Sequence, residues 1–112
     1  MIAAIISGGT PPSEELLKNY LIKVDFIIAA DKGCECLYKY NVIPDLLLGD
    51  FDSADKEILD NAKLQIKEIL EFPPEKDYTD TEIAIMEAVK RGAEKIYLFG
   101  ATGSRMDHAL GN

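Results

Sequence analysis

The sequence is short of the features that mark secreted, membrane-spanning and nucleic-acid-binding chains. It has two cysteines in 112 residues, and Cys34 and Cys36 lie too close together to staple a fold. No second Cys or His pair completes a tetrahedral metal site, so both read as plain reduced residues on a helix. No apolar run approaches the roughly 18 residues needed to cross a bilayer. Residues 1–6 lack the basic start and small-residue cleavage site of a signal peptide. Positive charge is scarce: 12 Lys and Arg stand against 20 Asp and Glu, a formal net charge of −8. That deficit is shared evenly by the two halves of the chain, which disfavours nucleic acid and membrane surfaces as partners. Internal repeats, low-complexity stretches and Pro/Gly/Ser-rich linkers are absent too. What remains is a cytoplasmic chain of one domain. Its 47% hydrophobic and 29% charged residues are enough to build a core, which argues against disorder.

Short apolar runs bounded by turn signals alternate with segments of helical period. Residues 2–6, 25–30, 46–49, 66–70 and 95–99 read as strands, several of them apolar on successive residues as buried parallel strands are. Between them, Leu16, Leu17, Tyr20 and Leu21 form one helical stripe. Leu37 and Tyr38, with the cysteines before them, form a second, and Ile58, Leu59 and Ala62 a third. The fourth helix is the best defined. Thr79-Asp80-Thr81-Glu82 is a capping box, Ile83-Ala84-Ile85-Met86 is its interior, and Lys90-Arg91-Gly92 supplies a dipole-matched last turn and a C′ glycine. This alternation predicts an α/β fold in three layers, a mostly parallel Rossmann-like sheet with helices on both faces. Near the end, Ser104-Arg105-Met106-Asp107 opens a further helix that the chain leaves unfinished at Asn112, so we expect a domain spanning 1–112 that is truncated at its C-terminal end.

In open α/β sheets ligands bind beyond the carboxyl ends of the strands, and the residues there are unusually acidic. Asp31 and Lys32 follow the second strand, and Asp50 and Asp52 follow the third. Lys76, Asp77 and Asp80 stand at the entrance of the fourth helix. Ser104, Arg105 and Asp107 follow the fifth strand. Asp50 and Asp52 are two apart in extended chain, so their carboxylates point the same way, and two hard oxygen donors on one side are how Mg²⁺ sites usually begin. One such motif alone is ordinary strand-end and cap chemistry; several at successive strand ends point to a metal. Asp80 in a first helical turn is also stabilised by the macrodipole without any ligand.

Arg105 puts a cation at the positive end of a helix, which a bound polyphosphate would reconcile; an ion pair with Asp107 explains it equally well. His108 reads as structural. Gly8-Gly9 and the Gly100-Ala101-Thr102-Gly103 run are weak signals that match neither a Walker A loop nor a dinucleotide fingerprint. Tyr38, Tyr40 and Phe72 read as packing residues. Together the rim residues suit a metal-assisted phosphoryl-type transfer.

The order of motifs, Ala30-Asp31-Lys32-Gly33, Gly49-Asp50-Phe51-Asp52-Ser53, Lys76-Asp77-Tyr78-Thr79-Asp80 and Gly100 to His108, resembles the catalytic domain of the thiamine pyrophosphokinases (thiamine diphosphokinases). The resemblance runs from the first strand to the last residue. It implies transfer of pyrophosphate from ATP to thiamine, giving thiamine diphosphate and AMP. It also implies Mg²⁺ held by Asp50, Asp52 and Asp80, and Asp77 and Arg105 in catalytic roles. Asp31, Lys32, Lys76, Asp77, Thr79, Thr102, Ser104 and Arg105 would line the ATP phosphates, with Asp107 orienting Arg105 or facing the thiamine end. Lys32 stands where many members have glycine. The family continues into a second, β-rich domain that helps form the thiamine pocket, usually across a homodimer. Two further readings are kept: an ATP- and Mg²⁺-binding fragment without catalysis of its own, and a Mg²⁺-dependent phosphohydrolase.

Overall fold

A computed structural model describes residues 1–9, 11–30, 32–49, 56–72 and 79–100. The strands are β1 (Ile2–Ile6), β2 (Phe26–Ala30), β3 (Leu46–Gly49), β4 (Glu68–Glu71) and β5 (Lys95–Phe99). The helices between them are α1 (Glu14–Leu21), α2 (Gly33–Lys39), α3 (Lys56–Gln65) and α4 (Asp80–Lys90). The five strands form one sheet in the order β4-β3-β2-β1-β5, every pairing parallel. The chain thus winds outward from β1 to β4 and then returns through α4 to the far side of β1.

Side chains alternate across each strand, and the consecutive apolar residues therefore supply two cores. Ala3 and Ile5, Ile28 and Ala30, Leu46 and Leu48, and Ile96 and Leu98 face a layer made by Ile83, Ala84 and Ala88 of α4. Ala4 and Ile6, Ala29, Leu47 and Phe99 face Leu17 of α1, Cys34 and Leu37 of α2 and Ala62 of α3. Leu46, Leu47 and Leu48 are all fully buried, each worth roughly 1.5–3 kcal/mol of apolar burial. That run can be buried only because both faces of β3 are covered. The expected three layers are present; among the described residues, three helices lie on one face and α4 on the other.

Helix ends follow their sequence signals. The Ser13 hydroxyl accepts from the Leu16 N–H at 3.2 Å, capping α1. At α4 the Thr79 hydroxyl accepts from the Glu82 N–H at 3.1 Å, while Glu82 Oε1 accepts from the Thr79 N–H at 2.9 Å, so the capping box is complete. Hydrogen bonding to Thr79, its backbone N–H first and then its side chain, holds the Glu82 carboxyl below its usual range. Gly92, at φ 98, is the left-handed residue after α4. The Ala93 N–H reaches the Ala88 carbonyl and the Gly92 N–H that of Val89, both at 3.0 Å, which is a Schellman closure.

Three strand boundaries differ from the sequence expectation, one of them the end of β4, at Glu71 rather than 70. β2 begins at Phe26 rather than 25, because the Asp25 carboxylate turns to accept from the Ile2 N–H at 2.9 Å. β4 begins at Glu68 rather than 66, because the Ile66 N–H still bonds the Ala62 carbonyl at 2.9 Å and its side chain packs into the three-helix core. Cys34 and Cys36 lie on α2, and neither forms a disulfide. Burial pushes the Cys36 thiol up, against the opposing charge of Lys39. The side chain of Leu59, expected in the α3 stripe, lies outside the described residues.

Candidate functional site

The reversal of strand order falls between β1 and β5, since β1 connects onward to β2 while β5 lies on its other side. The carboxyl end of β1 is therefore where a crevice for a ligand is expected. Backbone pairing continues past both strands there: the Ser7 N–H donates to the Phe99 carbonyl and the Gly9 N–H to that of Gly100, each at 2.8 Å.

Two helices begin at this point, one on each face of the sheet. The start of α2 lies directly on β1. A Cβ on Gly33 would stand 1.8 Å from the Ile6 carbonyl oxygen, so only glycine lets the helix come this close. The same approach sets Lys32 beside Gly8, where an added Cβ would meet that of Lys32 at 2.7 Å. Lys32 is exposed and, with Ser7, Gly8 and Gly9, lines a cavity of about 490 Å³ that opens at this rim.

From the other face comes α4. Thr79 caps it, Asp80 is its first residue and Thr81 its second. The Thr81 hydroxyl lies 2.7 Å from that of Ser7, either able to donate. Ser7, at 6% exposure, is the buried polar residue among those described. Asp80 is partly buried, with Oδ1 shielded from solvent.

Of the residues singled out in the sequence, Lys32, Thr79 and Asp80 are thus brought to one rim, flanking the end of β1 from opposite faces. Asp31, Asp50, Asp52, Lys76, Asp77, Thr102, Ser104, Arg105 and Asp107 lie outside the described residues, as does His108. Among the described residues no three His, Cys, Asp or Glu side chains cluster as metal ligands. Asp80 fits a divalent-cation site in its chemistry: a hard carboxylate oxygen, screened from water, on a helix turn fixed by its capping box.

Ser7 and Thr81 escaped the sequence reading, because an isolated hydroxyl in a strand-end loop or a first helical turn carries no signal until the fold joins them across 74 residues. Tyr40 packs as expected, and its hydroxyl donates to the Pro12 carbonyl at 2.9 Å, tying α2 to the segment before α1. Tyr38 differs: it is 47% exposed and borders the rim cavity. A larger cavity of about 600 Å³ lies between α2 and α3, beside Asn41, Pro44 and Gln65. Those residues precede β3 and β4, so it belongs to the opposite end of the sheet.

Residues 17–112 match the family described as thiamin pyrophosphokinase, catalytic domain. The thiamine pyrophosphokinase of Bacillus subtilis (strain 168) is 32% identical over 108 residues, 96% of this chain and 50% of that protein. Among solved structures, the thiamin pyrophosphokinase family protein of Enterococcus faecalis aligns with a TM-score of 0.75 at 28% identity, covering 94% of this chain and 49% of that one. The thiamin pyrophosphokinase of Geobacillus thermodenitrificans aligns with a TM-score of 0.71 at 33% identity, with the same coverage. The chain spans about half the length of these relatives.

Proposed function

The chain belongs to the thiamin pyrophosphokinase catalytic-domain family, and on that premise we propose that residues 1–112 are the ATP-binding catalytic part of an enzyme that makes thiamine diphosphate. The reaction moves the β,γ-diphosphoryl group of ATP to the hydroxyl of thiamine: a new bond forms from that oxygen to the β-phosphorus, and AMP departs. The observation that carries this reading is the gathering of Lys32, Thr79 and Asp80 around the end of β1, at the reversal of strand order in an all-parallel sheet.

Asp80, with Asp50 and Asp52, would hold Mg²⁺, which when bound offsets charge on the phosphate oxygens and on the leaving AMP. Lys32, Lys76, Ser104 and Arg105 bind phosphate oxygens, Arg105 in the forked geometry suited to a charge that grows during transfer. Asp31, Asp77, Thr79, Thr102 and Asp107 orient the nucleotide and its cationic partners. Gly8 and Gly9 let backbone approach the phosphates. We assign the enzyme to the cytoplasm and expect a homodimer when the remaining half of the family's length is present. Nucleic acid and membranes are not partners. The net charge of −8 supports this.

The test is AMP formation from ATP and Mg²⁺, with and without thiamine, on folded protein. Thiamine-dependent AMP is the expected result. Nucleotide hydrolysis indifferent to thiamine would replace the reading with a phosphohydrolase. Magnesium-dependent ATP binding without AMP would leave a nucleotide-binding fragment.

A further inference from the structure

Helix α4 meets the sheet through Ile83, Ala84 and Ala88. The two alanines, one turn apart, are fully buried and allow close approach, and Ile83 is the large buried side chain the helix inserts. Apolar contact of this kind resists separation more than sliding or rotation. Directional contacts are found at the two ends of the helix instead. At its C-terminal end the Arg91 guanidinium grips Glu68 with both terminal nitrogens. At its N-terminal end, the Ser7–Thr81 hydroxyl pair is such a contact.

The Ser7 side of that pair has little slack. The residue is buried, its backbone N–H is bonded to Phe99 at the end of β5, and that of Gly9 to Gly100 just beyond. The Thr81 side is equally constrained, because the Thr79–Glu82 capping box sets the first turn of α4 as a unit. Asp80 belongs to that turn and immediately precedes Thr81. A hydrogen bond of 2.7 Å between two such fixed groups sets the height and rotation of the turn relative to the sheet rim. With it is set the point on the rim from which the Asp80 side chain projects.

We infer that Ser7 and Thr81 are positioning residues for Asp80, holding its carboxylate where a divalent cation carrying a nucleotide polyphosphate is bound. The inference rests on the proposed function for the identity of what Asp80 holds. Neither hydroxyl need touch the cation; their effect is transmitted through one turn of helix. Groups that orient a metal ligand commonly change metal affinity by roughly 10–100-fold when removed, and the pair is expected to act in that range.

The experiment measures Mn²⁺ binding by electron paramagnetic resonance in the presence of α,β-methylene ATP, which cannot be cleaved at the bond in question. The parent chain is compared with Thr81→Val, Ser7→Ala, the double variant, Thr81→Ser and Asp80→Asn, each with its thermal unfolding midpoint. Thr81→Val and Ser7→Ala should each weaken Mn²⁺ roughly 10–100-fold, and the double variant no more than the worse single one. Thr81→Ser, which keeps the hydroxyl, should stay near the parent. Should Ser7→Ala fail to fold, the contrast between Thr81→Val and Thr81→Ser decides. Unchanged Mn²⁺ affinity in a Thr81→Val protein of lowered midpoint would make the pair merely structural and overturn the inference while leaving the proposed function standing. A parent chain that binds no Mn²⁺ with the nucleotide analogue would overturn both.

Discussion

The two ends of the sheet use the same residue type in opposite ways. At the amino end, Asp25 accepts from the Ile2 N–H at 2.9 Å and Asp45 from the Ile27 N–H at 2.8 Å, while Glu68 is gripped by Arg91. Parallel strands begin with N–H groups in need of acceptors, so a carboxylate there satisfies the backbone and completes the fold. At the carboxyl end the strands finish in carbonyl oxygens, which repel an added carboxylate. Yet Asp31, Asp50 and Asp52 follow β2 and β3 in the sequence, and Asp80 stands at the same rim. What that end offers in compensation are the starts of α2 and α4 and the cation of Lys32. On the proposed function, a bound Mg²⁺ would supply the rest of the positive charge. On that reading, position along a parallel strand, more than residue type, would separate carboxylates that build from carboxylates that bind.

The sharpest test of that contrast exchanges one carboxylate at each end. Asp52→Asn should lower Mg²⁺-dependent turnover by about 10²–10³-fold and leave the unfolding midpoint unchanged. Asp45→Ala should do the reverse, costing about 1 kcal/mol for a lost hydrogen bond, or roughly 4–8 °C in a domain of this size, with turnover intact once folded. Calorimetric melts and AMP assays on the same samples separate the two outcomes. An Asp52→Asn protein that melts early but turns over normally would erase the distinction.

Gly33 belongs to both categories, because it builds the fold at the binding end. A methyl group there would collide with the Ile6 carbonyl, and α2 cannot withdraw without opening the core that Cys34 and Leu37 fill. Gly33→Ala is expected to cost about 3 kcal/mol, the upper range for overpacking, and to displace Lys32 from Gly8. Denaturant titration gives the first effect and ATP-analogue affinity the second. A stable Gly33→Ala protein with normal affinity would show that the close approach is incidental.

The sequence made the framework legible because each strand is a short apolar run and each helix end carries its own local signal. Three strands match to the residue, β1, β3 and β5, and the α4 capping box and Gly92 closure are as read. The start of β4 was obscured because Ile66 is apolar for a different reason: it completes α3 and packs on the helical face. At the site, Lys32, Thr79 and Asp80 were legible as strand-end and cap residues of unusual charge. Ser7 and Thr81 were not, since the need for each appears only when the other is in place. Tyr38 was misjudged for a related reason. An aromatic at helical spacing reads as core, and only the packed helix shows that it points to solvent.

The smallest expected effect concerns the Arg91 clamp at the amino end, and it turns on pH. Hydrogen bonding to Arg91 holds the Glu68 carboxyl below its usual value of 4.5. A carboxyl whose folded pKa is lowered stabilises the fold fully above its unfolded value and loses that contribution as pH falls through the folded value. The Arg91 guanidinium, raised by the same bond to Glu68, stays charged throughout. Arg91→Met keeps a stem of similar length but removes the charge and the fork. Its unfolding midpoint should lie a few degrees below the parent's at about pH 6 to 8, with the gap narrowing as pH drops below 4.5 and Glu68 takes up its proton in both proteins. The modest size follows from exposure, for the Glu68 side chain is 43% accessible and water screens the pair. A gap that persists at about pH 3 would mean that Arg91 acts instead through its stacking 5.2 Å from the Phe26 ring centroid, which no carboxylate titration would disturb. In either case Mn²⁺ affinity at the opposite rim should hold, since the Ser7–Thr81 pair keeps the first turn of α4 in place while its far end loosens.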